Sequence, residues 1–328
     1  MRAETVLVSS DHSKDSPEVA VIILNHDGLR QNVSTFTECL SNSLKPTLTA
    51  KEVILVDNGS EDGSLEYVRR RFGSQLKYVS LTANFGYAAG MNAGAKFASP
   101  SCKYLLFCNN DVLFDAKTVD CLVEFFKVNP NLGVATCVEY VPKRDIYVPG
   151  RALDMRLSQF RVTDLVSAHY VTAAENFFMV KREVFDELGG FDDGHFFIYE
   201  DVELCLRVWL SGFTVACCTR CQVTHRHVLP EKRTPERLFA IIRNRYYTML
   251  KVYSVKNLLL YVPSRFFNDV YWAAVDRDWR DRNAVRLVFK ALLDIFLNLR
   301  PIVKKRRLTQ RKKKMSEDVL IRKGVLYR

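Results

Sequence analysis

Through the first half of the chain, short runs of β-branched and aliphatic residues alternate with stretches that read as helical. The runs at 19–25, 52–57, 76–81, 104–108 and 133–141 predict strands, and the stretches at 29–43, 63–72, 86–98 and 116–128 predict helices. Strands alternating with helices imply βαβ units, so the expected fold class is α/β, a mostly parallel sheet flanked by helices. Such a sheet binds ligands beyond the carboxyl ends of its strands. There the first, second and fourth runs end in Asn25, in Asp57-Asn58 and in Asn109-Asn110-Asp111. From about 142 to 170 the pattern is irregular and charged, which predicts a long crossing or a loop over the site. Regularity returns at 171–180, followed by a short helix, a helix at 200–210 and a strand at 213–218. After Pro235 the pattern is helical, at 236–253, 258–274 and 283–299.

A chain of 328 residues, 48% hydrophobic and 12% aromatic, is long enough for one large α/β domain with a helical extension and is not a disordered composition. Its net charge of +11 points to an anionic partner: nucleic acid, an acidic membrane surface or a phosphate-bearing substrate. Nine cysteines, an odd count scattered through apolar stretches, read as buried thiols in a reducing compartment. Residues 1–16 are polar and lack the apolar segment of a secretory signal, and no stretch reaches the roughly 20 apolar residues that span a bilayer. A soluble or peripheral protein is expected, and no oligomeric state follows from the sequence.

Asp57 sits where a buried strand runs into Asn58-Gly-Ser-Glu-Asp-Gly-Ser64. A carboxylate there can accept a hydrogen bond from the imino group of a pyrimidine, with the following helix start suited to phosphate or ribose. An Asx turn accounts for the same residues as plain turn chemistry. Asn84-Phe-Gly86-Tyr-Ala-Ala-Gly90-Met-Asn92-Ala-Gly94 sets glycines and asparagines across a loop-to-helix junction, where backbone can approach a ligand closely. Its spacing is neither the dinucleotide fingerprint nor a P-loop. Tight helix packing explains 88–94 but leaves Asn84 unexplained. Asn109, Asn110 and Asp111 offer oxygen ligands of the kind that suit Mg²⁺ or Mn²⁺, Asp111 being the one carboxylate. Glu200 and Asp201 open a helix, where acids favour the macrodipole. The aromatic approach Phe196-Phe-Ile-Tyr199 delivers them from apolar surroundings that raise a pKa, as a general base near neutral pH requires.

In this order the segments resemble the family 2 glycosyltransferases, especially the rhamnosyltransferase-like and galactofuranosyltransferase-like branch. The likeness runs from about 19 to 245. It rests on the strand ending in Asn25, Asp57-Asn-Gly-Ser, Asn84-Phe-Gly-Tyr-Ala-Ala-Gly-Met-Asn92, Asn109-Asn-Asp111, Gly189-Gly-Phe-Asp192 leading to Tyr199-Glu-Asp201, and Arg243-Asn244. The resemblance implies a GT-A fold, a nucleotide-diphosphate sugar donor and a divalent metal, Mg²⁺ or Mn²⁺. It implies that Asp57 contacts the donor's uracil or thymine and that Asn84 lies near the nucleotide. Asn25, Gly86, Asn92, Asn109, Asn110 and Asp111 complete the candidate donor site.

Asp111 holds the last position of the family's Asp-x-Asp metal motif, and Asp201 matches its catalytic base, with Glu200 beside it. Asn109 replaces the motif's first Asp, keeping an oxygen ligand and removing a charge. His225 falls where this branch supplies a histidine ligand, so the candidate metal set is Asp111, Asn109 and His225. Cys217, Cys218, Cys221, His225 and His227 can also be drawn as a structural zinc site, although strand alternation would point the two adjacent cysteines to opposite faces. The Gln-x-x-Arg-Trp motif of processive members is not found, so one sugar per encounter is expected. On this reading the chain divides into a polar tail at 1–16, a GT-A catalytic domain at 17–235, a helical extension at 236–300 and a basic tail at 301–328. Within the catalytic domain, 17–141 is the nucleotide-sugar half and 142–235 the acceptor and base half.

In the helix ending at Leu299, Arg286, Lys290, Asp294 and Asn298 recur every four positions and leave an apolar face of Leu287, Phe289, Leu292, Ile295 and Phe296. Such a helix packs on a domain or lies in a membrane interface. Lys304-Lys-Arg-Arg307 and Arg311-Lys-Lys-Lys314 follow with no acid between them. They predict a tail that favours anionic lipid headgroups and whose removal leaves the catalytic fold intact. The expectation is an inverting, metal-assisted transferase, cytoplasmic and peripheral on the inner face of the cell membrane through 285–314. Its acceptor is a hydroxyl of a glycan or a lipid-linked acceptor. Alternatives are a nucleotidyltransferase on a similar sheet and a nucleic-acid-binding protein. The latter is disfavoured because the cations gather at one end without aromatic interleaving.

Overall fold

The computed structural model describes residues 6–8, 16–156, 160–162, 170–226, 234–275 and 283–327. Most of the polar segment 1–16, parts of the irregular stretch 142–170 and His227 lie outside the described residues. Four strands, β2 (Val19–Asn25), β3 (Lys51–Asn58), β4 (Lys77–Leu81) and β5 (Tyr104–Asn109), run parallel in the order β4-β3-β2-β5, with Ile22 registered against Ile54 and Phe107. Helices cover both faces, which is why these strands read as continuous apolar runs. On one face α1 (Gly28–Ser43), α2 (Ser64–Phe72) and α4 (Ala116–Val128) bury Phe36, Val68 and Leu122. On the other, α3 (Tyr87–Lys96) and α6 (Glu200–Leu210) bury Met91 and Trp209.

The second half makes the sheet mixed. β11 (Phe177–Lys181) lies antiparallel between β5 and β7 (Leu132–Val141), and β12 (Thr214–His225) runs parallel to β7 and antiparallel to β6 (Val112–Leu113). β1 (Val6–Val8) pairs antiparallel with β4 at the other edge. The predicted strand at 171–180 shortens to 177–181. Its early residues are apolar enough for a strand, but the Ala174 and Glu175 amides donate to Asp201 and Glu175 has a φ of 62°. The predicted strand at 213–218 instead continues to His225 through a bulge between Cys218 and Gln222.

Beyond α5 (Arg182–Leu188) and α6, the helices are α7 (Pro235–Val252), α8 (Val255–Val275), α9 (Ala284–Leu297), α10 (Leu299–Arg311) and α11 (Glu317–Arg322). The helix expected at 283–299 breaks at Asn298, which caps both α9 and α10. Leu238, Ile242, Tyr246, Val288, Ala291 and Ile295 form a small core among these helices.

Residues 301–327 are not a basic tail. Ile302 and Thr309 are buried, Lys305 reaches Asp192 and Asp193 at 2.5 and 2.6 Å, and Arg306 donates to the Leu250 and Tyr253 carbonyls, each at 2.6 Å. Downstream, Leu320, Val325 and Leu326 are fully buried, and β13 (Leu326–Tyr327) pairs with β9 (Arg151–Asp154). One helical face of the cationic segment is therefore built into the fold, and its removal would open the core instead of leaving it intact.

Candidate active site

The carboxyl ends of β2, β3 and β5 meet in a hydrogen-bonded layer. Asn25 is fully buried: its amide nitrogen lies 3.0 Å from Asp57 Oδ1, 2.8 Å from Ser64 Oγ and 3.1 Å from Ser60 Oγ, and its oxygen accepts from Asn110 at 3.1 Å. Expected in the donor site, Asn25 instead ties strand ends together. Asp57, 3% exposed, accepts from Asn25 and from the Ser60 amide at 3.3 Å, which is turn chemistry. Two bonds use about half of a carboxylate's roughly four acceptor positions.

Asn58, given no role of its own by the sequence, fixes the next loop. Its oxygen accepts from the Phe85 amide at 3.0 Å, and its nitrogen donates to Asn84 Oδ1 at 3.0 Å and to the Gly86 carbonyl at 3.2 Å. Asn84 remains exposed at the rim. Gly86 serves a close approach to protein. At φ +86°, an added Cβ would stand 2.3 Å from the Phe196 carbonyl, which also accepts from the Tyr87 amide at 2.6 Å. Asn92 is likewise engaged by the chain, pairing both ways with the Phe191 backbone at 2.9 Å. Gly90 and Gly94 let α3 lie tight on Leu24 and Ile22, so the packing explanation holds for 88–94.

Asp111 and His225 meet at the sheet edge, because the β6–β12 ladder sets His225 opposite Val112. His225 Nε2 is 3.2 Å from Asp111 Oδ1, and its Nδ1 is 3.0 Å from Glu139 Oε1. Burial opposes a charge on this imidazole, but hydrogen bonds to Asp111 and Glu139 outweigh it and hold the pKa up at about 10. Two ligands at right angles around an octahedral ion with bonds of about 2.1 Å stand roughly 3 Å apart. The Asp111–His225 spacing fits that geometry, and Glu139 would orient the imidazole from behind. Asn109 does not join them directly. Its amide donates to Asn176 at 3.0 Å, and Asn176 in turn contacts Glu139 and His225, each at 3.1 Å, so Asn109 supports the pair from one residue back.

Glu200 and Asp201 follow Ile198 and Tyr199, whose φ values of 69° and 75° are uncommon for side chains of this bulk. Asn244 on α7 holds that turn, donating to the Phe197 carbonyl at 2.9 Å and the Ile198 carbonyl at 2.8 Å. Asp201 is half-buried, and its Oδ2 accepts from the amides of Ala174 at 3.1 Å and Glu175 at 3.0 Å. Burial pushes the Asp201 carboxyl up while these amide bonds oppose it. Glu200 is raised to about 8 by burial and then by the Asp201 charge. At neutral pH Glu200 therefore carries a proton.

Burial, and next the charges of Glu200, Asp201, Cys108 and Asp111, raise the Tyr87 hydroxyl, which has no hydrogen-bond partner among the described residues. The base corner and the acid–imidazole corner thus both lie within electrostatic reach of Tyr87. Glu175 also connects them. Burial raises it to about 7 against the Arg151 guanidinium 3.2 Å away, with Asp201 and Glu139 adding to the rise. Glu139, Asn176 and Glu175 were missed in the sequence. Their one signal was polarity inside the apolar runs at 133–141 and 171–180.

Cys217 and Cys218 do point to opposite sides of the sheet, one packing with the α6 core and the other with the α4 core. With His225 committed to Asp111, the zinc set drawn from the sequence is not assembled. A cavity of about 270 Å³ at the far end of α6, lined by Asp192, Arg207, Lys251 and Lys305 among others, contains none of the candidate residues.

The family profile described as Glycosyl transferase family 2 matches residues 19–189, and that of Glycosyl transferase family group 2 matches 106–276. Among curated proteins, the poly-beta-1,6-N-acetyl-D-glucosamine synthase of Staphylococcus epidermidis is 32% identical over 103 residues, 31% of this chain and 24% of that protein. A synthase of the same name from Staphylococcus aureus is 31% identical over 103 residues. The match spans about a quarter of the length of these relatives.

Among solved structures, S. aureus TarS 1-349 aligns with a TM-score of 0.56 at 16% identity, covering 95% of this chain and 93% of that one. GalNAc-T7 with UDP, GalNAc and Mn²⁺ aligns with a TM-score of 0.61 at 15% identity, covering 87% and 58%. The mannosyltransferase PcManGT from Pyrobaculum calidifontis, in complex with GDP-Man and Mn²⁺, aligns with a TM-score of 0.53 at 16% identity, covering 91% and 86%. These likenesses establish the GT-A fold.

Proposed function

Because the chain belongs to glycosyl transferase family 2, we propose that it transfers a sugar from a UDP- or dTDP-type donor to a hydroxyl of a glycan or lipid-linked acceptor, with inversion. One observation carries this reading: a carboxylate pinned by two amides, Asp201, and an Asp111–His225 pair spaced for a divalent ion lie within electrostatic reach of the same buried Tyr87 and Glu175. Inverting transfer needs a base on the acceptor side and positive charge on the leaving-group side. With Oδ2 held, Asp201 presents its carboxylate in a fixed direction and takes the acceptor's proton as the hydroxyl oxygen attacks the anomeric carbon. Protonated Glu200 adds no competing negative charge beside it. Asp57 has acceptor capacity left for the imino group of uracil or thymine, and Asn84 stands at the rim beside it. When bound at Asp111 and His225, with the imidazolium proton released to solvent, Mg²⁺ or Mn²⁺ would supply charge for the departing diphosphate. The Mn²⁺ in two similar folds supports that assignment.

The same reading puts the enzyme on the cytoplasmic face of a membrane as a peripheral protein. No helix among the described residues is long and apolar enough to cross a bilayer. α8 and α9 nevertheless expose Leu259, Phe267, Trp272, Leu293 and Phe296, residues suited to an interface. The proposed anchoring surface keeps part of the one expected at 285–314 and extends it to α8. α9 buries Ile295 and exposes Phe289 and Phe296, while Lys305 and Arg306 face inward and Lys304, Arg307 and Arg311 stay exposed.

The test is incubation with UDP-, dTDP- and GDP-sugars, rhamnosyl and galactofuranosyl donors included, together with Mn²⁺ and lipid-linked or free glycan acceptors. Proton NMR of the product should show an anomeric configuration opposite to the donor's, one added residue and a released nucleoside diphosphate. Retention of configuration refutes inversion, a ladder of products refutes single addition, and pyrophosphate release points to the nucleotidyltransferase.

A further inference from the structure

Four cysteines from three elements converge at a place that the transfer chemistry does not use. They are Cys121 on α4, Cys137 on β7, and Cys218 and Cys221 on β12. The sulfurs of Cys121, Cys218 and Cys221 all lie within 4.8 Å of one another. Cys121 and Cys218 are 3.6 Å apart, and Cys137 and Cys221 are 3.1 Å apart.

The bulge in β12 brings them together. Cys218 is the register partner of Cys137, after which β12 leaves the ladder and rejoins it with Gln222 opposite Val138. In an unbroken strand, residues three apart face opposite sides of the sheet. The bulge returns Cys221 to the side already occupied by Cys218, Cys137 and Cys121. Thr219 and Arg220 at its crest are exposed, whereas Cys218 and Cys221 are 1% and 8% exposed, so the sulfurs sit just beneath the surface.

We propose that Cys121, Cys137, Cys218 and Cys221 form a structural zinc site. Tetrahedral Zn²⁺ with bonds of about 2.3 Å places its sulfurs roughly 3.8 Å apart, and Cys-x-x-Cys is a usual ligand spacing. The separations among Cys121, Cys218 and Cys221 and the Cys137–Cys221 distance, from 3.1 Å up to the 4.8 Å limit, bracket that value; Cys137 reaches the group through Cys221 and would close in on the other two sulfurs as the fourth ligand. Four sulfurs select a soft ion over the oxygen-seeking Mg²⁺ or Mn²⁺, so this site is chemically distinct from Asp111 and His225. Binding releases the thiol protons to solvent and bonds four sulfurs to one ion. The ion would pin the bulge to β7 and α4, four residues before His225, and so act on folding stability.

The experiment uses the full chain purified under reducing conditions. Elemental analysis should find one zinc per chain, and titration with a mercurial thiol reagent should release it to a chromogenic chelator. Growth with Co²⁺ should give the sulfur-to-metal charge-transfer absorption and intense visible bands of a tetrahedral thiolate complex. Zinc should persist in Asp111→Ala and Cys217→Ser and fall at least tenfold in Cys121→Ser and Cys218→Ser. The wild-type measurements keep the test decisive if a cysteine variant fails to fold. Absence of zinc together with absence of the thiolate–cobalt spectrum overturns the proposal. So does loss of zinc in Asp111→Ala, or peptide mapping that finds Cys137–Cys221 or Cys121–Cys218 as a disulfide in the reductant-purified chain.

Discussion

Replacing Glu200 with Gln isolates a charge that the fold keeps out. Glu200 is 8% exposed at the first position of α6, and its Oε2 has no hydrogen-bond partner among the described residues. Burial, and next the Asp201 charge, raise its carboxyl from 4.5 to about 8. Between those values the folded chain binds more protons than the unfolded one, so this group's contribution to stability falls as pH climbs from about 4.5 and is fully lost above about 8. At pH 7 the difference spans about 2.5 pH units, which at about 1.36 kcal/mol per unit amounts to roughly 3 kcal/mol. Glu200→Gln keeps the shape and has no proton to lose. Urea unfolding from pH 4.5 to 8.5 should show the two chains converging at the acid end, and at pH 7 the variant should be more stable by up to about 3 kcal/mol. Parallel stability curves would refute the reasoning, because they would mean that Glu200 is already ionised in the folded chain. Turnover should survive the substitution if, as proposed, Asp201 is the group that takes the acceptor's proton.

Asp201→Asn should lower turnover by about 10² to 10⁴ while donor affinity, read by calorimetry, changes little; near-normal turnover would assign the base elsewhere. Asp111→Ala should abolish the Mn²⁺ dependence of UDP or dTDP affinity, so that titrations with and without EDTA coincide. Asn244→Ala removes two bonds that hold the Phe197 and Ile198 carbonyls. It should cost about 1–3 kcal/mol in denaturant unfolding and lower kcat more than donor affinity, because the turn before Asp201 relaxes. Phe267→Ser combined with Phe296→Ser should reduce sedimentation with anionic vesicles without changing thermal stability, since both side chains are exposed.

The parallel half of the sheet was legible because strands covered on both faces are continuous apolar runs with polar ends. Less legible was any segment whose polarity and partners disagree. Residues 171–176 carry a strand's apolarity, yet two of their amides go to a carboxylate 26 and 27 residues away in sequence. Charge density at 301–314 masked a helix whose inward face carries Ile302, Lys305, Arg306 and Thr309. Glu139 was hidden by the reverse effect, as a single acid in a run of buried residues.

At the site, sequence reasoning found the residue types at the strand ends but not the direction of their side chains, and the outcome divides by chemistry. A buried or half-buried side-chain amide has donors and acceptors that the chain itself largely satisfies. Asn25, Asn58, Asn92, Asn109 and Asn244 have accordingly been absorbed into the scaffold, Asn92 by a backbone 99 residues away. A carboxylate offers about four acceptor positions and is rarely exhausted by one or two contacts. Asp57 accepts from Asn25 and from the Ser60 amide, and Asp201 accepts through Oδ2 from the Ala174 and Glu175 amides. A sequence records that Asn and Asp both stand at the ends of strands, but not that the first will be consumed by its neighbours while the second retains capacity for a ligand. That asymmetry makes the carboxylates the residues on which activity should depend, and the asparagines the residues on which their geometry depends.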